Sequence, residues 1–387
     1  MPKLGRLAIT AGCPLNISRN FLLCYPYSPR AFTTQQSPNN TPQSTPPPSS
    51  SSGARSYSTK GRRPTNSTST RPGALKTAFL LFPAAAIGFG VLSGIVPVHN
   101  PFSTSSSSAD NSNSMSNKLI PANPADVMVI RDITPNVITF SVPFKRFGMI
   151  PIGGRGTLVK LTSGSLAVFS PVALTPDVQA KLTTLGGAVK YIIAPDIEHH
   201  IFITEWATAF PDAKIIGPEG LPEKRAKATD PKIGKEEFAV VFKAENKLAI
   251  KIDDEFDRDF AYEYVDAHAN KELVFFYRPE RILIEADLMF NLPAEEQYSK
   301  VPEADKKVGL PAKLFINMNS TEGDAKGMKR FLWYAMSARD RNGFNESVKR
   351  IDAWDFETLV PCHGETIVGN AKQVWAKVFE WHLTGKK

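Results

Sequence analysis

Val189-Lys-Tyr-Ile-Ile-Ala-Pro195-Asp196-Ile-Glu-His199-His200 is the stretch from which the rest of the chain is best read. A short apolar run rich in β-branched and aromatic residues and closed by proline reads as a buried strand. An acid and two histidines stand at its exit. Three later stretches repeat the arrangement: Phe260-Ala-Tyr-Glu-Tyr-Val runs into Asp266-Ala-His268, Arg281-Ile-Leu-Ile-Glu into Asp287, and Thr358-Leu-Val into Pro361-Cys-His363-Gly. Apart from His99 and His382, every histidine sits where a strand ends. Strand ends in layered β folds are places where side chains converge without disturbing the packing, so this placement points to a shared site.

Around that stretch the pattern alternates between sheet and helix. Val137-Ile-Thr-Phe-Ser-Val reads as a strand, and Thr157 to Leu161 and Leu166 to Ser170 as a hairpin about a Thr-Ser-Gly-Ser turn. Thr175-Pro176-Asp177 has the capping residue and first-turn proline of a helix that closes near Gly186. His200 to Phe210 is expected as a short helix and Ala213 to Ile216 as a strand. Strands are expected again at Lys247 to Ile252, Phe260 to Val265, Glu272 to Tyr277, Arg281 to Glu285 and Thr358 to Pro361, with helices over Asp324 to Arg339, Phe344 to Trp354 and Asn370 to Leu383. Strand runs mixed with helices in each half suit an α/β, αββα sandwich: two sheets face to face with helices on both outer faces. No G-x-G-x-x-G follows a strand and no GK[ST] loop is present, which removes the phosphate cradle of nucleotide-binding folds.

The four strand-end clusters, in this order, resemble the metallo-β-lactamase superfamily, in which HxHxDH follows a strand and later strand ends carry a His, an Asp and a last His before Gly. Glu285-Ala-Asp287-Leu-Met-Phe resembles the Asp motif, Asp266-Ala-His268 the middle His and Pro361-Cys-His363-Gly the last. The block SPVALTPDVQAKLTTLGGAVKYIIAPDIEHHIFITEWATAFPDAKIIGPEGL is similar to the DUF4336 branch of that superfamily. The resemblance spans about Asp126 to the C-terminus. It departs at the first motif: with His200 set on the final His, His199 stands in place of Asp, and Pro195 and Ile197 replace the first two His.

Carried over residue by residue, the resemblance implies that one of the two family metal sites keeps only His268 and the bridging Asp287, while the other keeps His199, His200, His363 and Asp287. Imidazoles plus a carboxylate suffice for one Zn²⁺ with room for water, Fe being an alternative. His199 could instead point away as a helix-start residue, leaving His200, His363 and Asp287. Two functions stay open: a mononuclear hydrolase of a small acyl ester or thioester, and a non-catalytic binding or scaffold module of the same fold with its metal site lost. A third, one-iron sulfur oxidation as in mitochondrial relatives of the fold, is disfavoured because its ligands come largely from the missing HxHxDH positions.

Other residues admit blander readings. Cys362 beside His363 could be a soft ligand or a nucleophile, but neighbours on a strand face opposite ways and a buried inert thiol is expected. Gly153-Gly154-Arg155-Gly156 could approach an anion, although a loop before a strand fits as well. Glu205-Trp206 reads as core plus a solvent-facing acid. Phe331 to Met336 and Trp375 to Trp381 read as helix faces packed on the sheets, or as the lining of an apolar pocket.

Toward the N-terminus the composition changes. The chain has 387 residues and a formal charge of +8, yet residues 1–109 hold ten Lys or Arg and no acid. The remainder therefore carries 36 basic and 38 acidic residues, and a nucleic-acid partner has no electrostatic footprint on the folded part. Residues 1–72 are expected to be a disordered basic leader of the mitochondrial-targeting kind. The uncharged run from Thr77 to Val98, within 73–98, is long enough at about 1.5 Å per residue to cross a core of about 30 Å, and is expected to make the protein a single-pass protein of the mitochondrial inner membrane. The alternative is translation from Met115 and a cytosolic protein. A Ser/Asn-rich linker over 99–125 leads to the domain at 126–387. Three cysteines, Cys13, Cys24 and Cys362, make no disulfide framework.

Overall fold

The computed structural model describes residues 123–186 and 188–387. The leader, the run from Thr77 to Val98 and nearly all of the linker lie outside the described residues. Among the described residues no helix is long and apolar enough to cross a membrane.

Helix α1 (Pro124–Val127) leads into a seven-stranded sheet. Strands β1 (Val129–Asp132) and β2 (Val137–Val142) pair antiparallel; a small hairpin, β3 (Lys145–Arg146) and β4 (Ile150–Pro151), stands outside the sheet; β5 (Gly154–Lys160) and β6 (Leu166–Phe169) then continue it antiparallel. After helix α2 (Pro176–Leu185) the chain adds β7 (Val189–Ile193), and after α3 (Ile203–Ala209) it adds β8 (Lys214–Pro218). Beyond α4 (Leu221–Ala226), β9 (Val240–Phe242) forms the edge, so that β6 to β9 run parallel. Helix α2 forms where its ends dictate: the Thr175 hydroxyl accepts from Val178 N, and Gly186 at φ 117° takes the left-handed stop that a side chain would resist.

The second sheet follows α5 (Asp254–Asp259). Its strands β10 (Phe260–Val265), β11 (Glu272–Tyr277), β12 (Ile282–Ile284) and β13 (Thr358–Val360) lie in that order, antiparallel except for the parallel pair β12 and β13. Between β12 and β13 come α6 (Glu295–Tyr298), α7 (Leu310–Met318), α8 (Lys326–Phe331) and α9 (Arg341–Asp352); α10 (Ala371–Val378) and α11 (Glu380–Thr384) close the chain.

Strand alternation makes three apolar layers. Tyr191 and Ile193 of β7 face Leu273, Phe275 and Tyr277 of β11 between the sheets. The opposite faces point outward, with Ile192 and Val168 under Val178, Leu182 and Trp206 of α2 and α3, and Val274 and Phe276 under Met328, Val348 and Trp375 of the C-terminal helices. The αββα sandwich expected from the sequence is therefore present.

Several elements differ from expectation. Residues 247–252 form no strand: Ala249 N and Ile250 N bond back to Asn246 O, and β9 takes the sheet edge instead. The expected C-terminal helix is two helices, and the one expected from Asp324 becomes α8 followed by a π turn at Leu332–Met336. Helix α3 starts at Ile203 because residues 196–202 are spent in a turn that serves the strand-end cluster. Strands β1 and β9 and helix α7 carried too little period to be read from the sequence.

Candidate metal centre

Strands β10, β12 and β13 run the same way, so their C-terminal ends share one edge. The loop after β7 is clipped to that edge, Leu273 N donating to Pro195 O at 2.6 Å and Ile197 N to Asn270 O at 3.1 Å. All four strand-end clusters thereby meet.

His199, Asp287 and His363 converge, each offering one ligand atom within 4.8 Å of the others. The Nε2 atoms of His199 and His363 lie 3.2 Å apart, and Asp287 Oδ1 is 3.0 Å from His363 Nε2. What stands behind each ring decides which nitrogen faces the centre. His199 Nδ1 is 2.9 Å from Asp196 Oδ1, and His363 Nδ1 is 2.7 Å from Gly153 O. A carboxylate and a carbonyl only accept, so both Nδ1 atoms carry protons and the Nε2 atoms are left to the centre. A carboxylate or carbonyl behind a histidine is the arrangement that orients metal-ligating imidazoles. In tetrahedral zinc sites with ligands at about 2.0–2.1 Å, neighbouring ligand atoms lie about 3.3 Å apart, so the donor set fits such an ion.

Charge supports the fit. Burial lowers the His199 pKa, but Asp196 and Asp287 outweigh it and bring the ring up to about 9. Asp287 is held well below the usual carboxylate range: burial opposes this, but the charge of the His199 ring prevails. Without a metal, His199 therefore holds a proton between the two rings, and a metal ion would take that proton's place.

The supporting residues are buried. Asp196 Oδ1 also accepts from Glu198 N and His199 N at 2.7 and 2.8 Å, winding the turn that aims His199. Glu272 accepts from Ala286 N and Asp287 N at 2.6 and 3.1 Å and so fixes the Asp287 turn. Burial, then the charges of Asp196, Glu285 and Asp287, push the Glu272 pKa well above the carboxylate range. Asn270 Nδ2 donates to Asp287 Oδ2 at 2.6 Å. Asp287 thus has one oxygen for the centre, the other being engaged by an amide. Asn270, Glu272 and the Gly153 carbonyl escaped the sequence reading. The only signal for Asn270 is its place two residues after His268, and a carbonyl carries none.

The five residues expected as ligands separate. His200 turns from the cluster toward Arg225, whose Nη1 donates to His200 O at 2.7 Å and lies 3.2 Å from His200 Nδ1. Burial, with Lys224 and Arg225 adding to it, holds His200 neutral with a pKa of about 3. The alternative in which His199 points away is reversed: the loop's contribution is His199, one residue before the expected His200. His268 is buried against Phe344, its Nδ1 accepting from Asn270 N at 3.3 Å, and stands outside the group of three. Cys362 points the other way, its Sγ 2.9 Å from Ser170 Oγ and 3.2 Å from Arg155 O, with burial raising its pKa well above the usual value. Arg155 meets no anion from outside. It donates to Pro361 O and Gly364 O at 2.7 and 2.6 Å and so holds the His363 loop.

His199 and His363 open onto a cleft of about 1060 Å³, walled by Phe144, Val172 and Phe202 and rimmed by both signs of charge: Arg146, Lys224, Lys227 and Lys232 beside Glu198, Glu205 and Asp230, with Glu198 paired to Arg146 and Lys224. An apolar wall with a polar rim suits a small molecule that is part apolar and part polar.

Residues 147–322 match the family model described as "Domain of unknown function (DUF4336)". The match takes in His199, His200, His268 and Asp287 and ends before His363. No curated protein matches the sequence. Among solved structures the chain is similar to a metallo-β-lactamase from Pontibacter korlensis, at 12% identity and TM-score 0.41 over 65% of this chain and 99% of that one. It is also similar to a metal-soaked flavodiiron core from Synechocystis sp. PCC6803, at 12% identity and TM-score 0.45 over 66% of this chain and 60% of that one. A flavo di-iron protein mutant from Thermotoga maritima gives 13% identity and TM-score 0.42 over 66% and 62%. Residues 147–322 are therefore similar to the family described as DUF4336, and they lie within a sandwich of two sheets covered by helices on both outer faces.

Proposed function

We propose that this protein is a mononuclear metal-dependent hydrolase, with His199, Asp287 and His363 holding one Zn²⁺, and that it acts on a small acyl ester or thioester. The observation that carries the reading is the pair of Nε2 atoms 3.2 Å apart beside Asp287 Oδ1, each ring fixed from behind by an acceptor. Three protein ligands leave a fourth position, the pattern of catalytic rather than structural zinc. A bound ion would polarise an acyl carbonyl and bring the pKa of a water toward neutrality. The chain's own residues do the rest: Asp196 and Gly153 aim the rings, Asn270 orients Asp287, Phe144 and Phe202 shield the centre from bulk water, and the charged rim receives the polar part of the substrate. Iron satisfies the same donor types, so the metal's identity is part of the proposal. We place the protein at the mitochondrial inner membrane, from its acid-free leader and the uncharged run from Thr77 to Val98.

Metal analysis of the purified protein tests this. About one Zn²⁺ or Fe per chain is expected, with His199→Ala, Asp287→Ala and His363→Ala each losing most of it. His200→Ala and His268→Ala should retain it, because neither ring faces the centre. Protein that contains no stoichiometric metal and melts identically with and without chelator would overturn the reading and leave the non-catalytic binding module in its place.

A further inference from the structure

Seven large apolar side chains are well exposed among the described residues, and four fall on two neighbouring segments. Phe147 and Met149, 64% and 67% exposed, form the tip of the β3–β4 hairpin; Leu310 and Leu314, 81% and 64% exposed, lie on α7. Helix α7 packs against β4, which sets the helix beside the hairpin. Nothing inside the domain explains the exposure, since α7 already buries Ala312 and Phe315 on its other side. The hairpin tip, Phe147-Gly148-Met149, projects past its own strands, and a Cβ added at Gly148 would meet nothing within 4 Å.

Charge selects what covers this face. Segments 144–151 and 303–318 contain five basic residues, Lys145, Arg146, Lys306, Lys307 and Lys313, against the acids Glu303 and Asp305. Apolar tips flanked by lysines suit a lipid surface, where the apolar groups enter the acyl boundary and basic side chains are drawn to an anionic headgroup layer. The position of the chain agrees. The described chain begins at Asn123, Pro124 lines the same cleft as Phe144 and Arg146 of the hairpin region, and only 24 residues of sequence separate Val98 from Asn123.

We propose that the hairpin tip and α7 form a docking surface for an anionic lipid bilayer, which sets the mouth of the cleft at the membrane. The link to the candidate centre is physical: Phe315 of α7 packs on Phe290 at 6.3 Å, and Phe290 meets the His363 ring edge-on at 5.0 Å. The docking face and the wall of the centre are two sides of one apolar layer. Apolar-tailed molecules leaving the bilayer would enter the cleft without crossing bulk water.

The test uses the full chain with Cys13→Ser and Cys24→Ser, Cys362 being buried, and an environment-sensitive fluorophore placed through Met149→Cys. The control is Tyr334→Cys, an exposed position outside both segments. The proteins are reconstituted in phosphatidylcholine vesicles with and without phosphatidylserine, with chelator present, so that the outcome is independent of the metal reading. Position 149 should shift to the blue and be quenched several-fold more by spin-labelled lipid than position 334. The difference should grow with phosphatidylserine and shrink with salt or with Lys307→Glu and Lys313→Glu. Equal quenching at both positions, or no response at 149 to either vesicle, would overturn the proposal. Shielding of 149 without vesicles that disappears on dilution would assign the face to a second copy and overturn it equally.

Discussion

Replacing Arg155 with methionine should destabilise the domain by about 3–5 kcal/mol and weaken metal binding, although Arg155 touches no candidate ligand. Its guanidinium is 1% exposed and fans across the joint between the sheets. Nε donates to Ser141 Oγ at 3.0 Å, Nη1 to Pro361 O and Gly364 O, and Nη2 to Glu296 Oε1 at 3.3 Å. Methionine fills much of the volume but donates nothing. Two buried carbonyls lose this donor, at about 1–3 kcal/mol each if nothing replaces it. Glu296 keeps Arg131 at 2.9 Å, so the full penalty of an abandoned buried charge does not apply. Lysine should recover little, because a point donor cannot span two carbonyls as the planar fork does. Because those carbonyls belong to Pro361 and Gly364, on either side of Cys362-His363, their release should also misplace the His363 ring and cost about 10-fold or more in Zn²⁺ affinity. Urea unfolding followed by tryptophan fluorescence and a chelator competition titration measure the two effects. At roughly 2–4 °C per kcal/mol, the melting temperature should fall by about 10 °C. A change under about 1 kcal/mol with unaltered Zn²⁺ affinity would refute the assignment of Arg155 as the clamp of the His363 loop.

Asn270→Ala removes the amide that holds Asp287 Oδ2, and chelator competition should show about 10- to 100-fold weaker Zn²⁺ binding with the fold intact; unchanged affinity would mean that Asp287 is aimed by Glu272 alone. Acid sensitivity should come partly from His382, enclosed by Trp333, Phe344 and Phe379, whose pKa burial and then Arg341 bring down from 6.5 to about 4. Below pH 6.5 the unfolded chain takes up this proton and the folded one does not, so the contribution is complete above 6.5 and is lost as pH falls toward about 4, by up to about 3 kcal/mol. His382→Gln should therefore flatten the fall of melting temperature between pH 7 and pH 4.5, and parallel curves for the two proteins would count against it.

The layers, and the edge on which chemistry gathers, are legible in the order of residues alone. A buried strand announces itself by β-branched and aromatic runs such as Val189–Ile193, and Thr175 with Gly186 marks both ends of α2, because these signals are local. The order of Asp and His after successive strands was equally legible, since sheet topology carries the ends of β10, β12 and β13 to one side whatever the loops do. Which histidine faces the centre was not. His199 and His200 are neighbours in a turn with no fixed period, and their directions were decided by the Asp196 carboxylate winding the turn and by Arg225, which draws His200 away. The alternation of Lys247 to Ile252 suggested a strand, but a strand needs a partner with free backbone groups, and β9 had taken the edge. Asn270, Glu272, Arg155 and the Gly153 carbonyl act across 14 to 210 residues of sequence. Strand pairing inside the second sheet brings Asn270 and Glu272 to the Asp287 turn, and the packing of the first sheet on the second brings Arg155 and the Gly153 carbonyl to the His363 loop; a chain read in order contains neither distance.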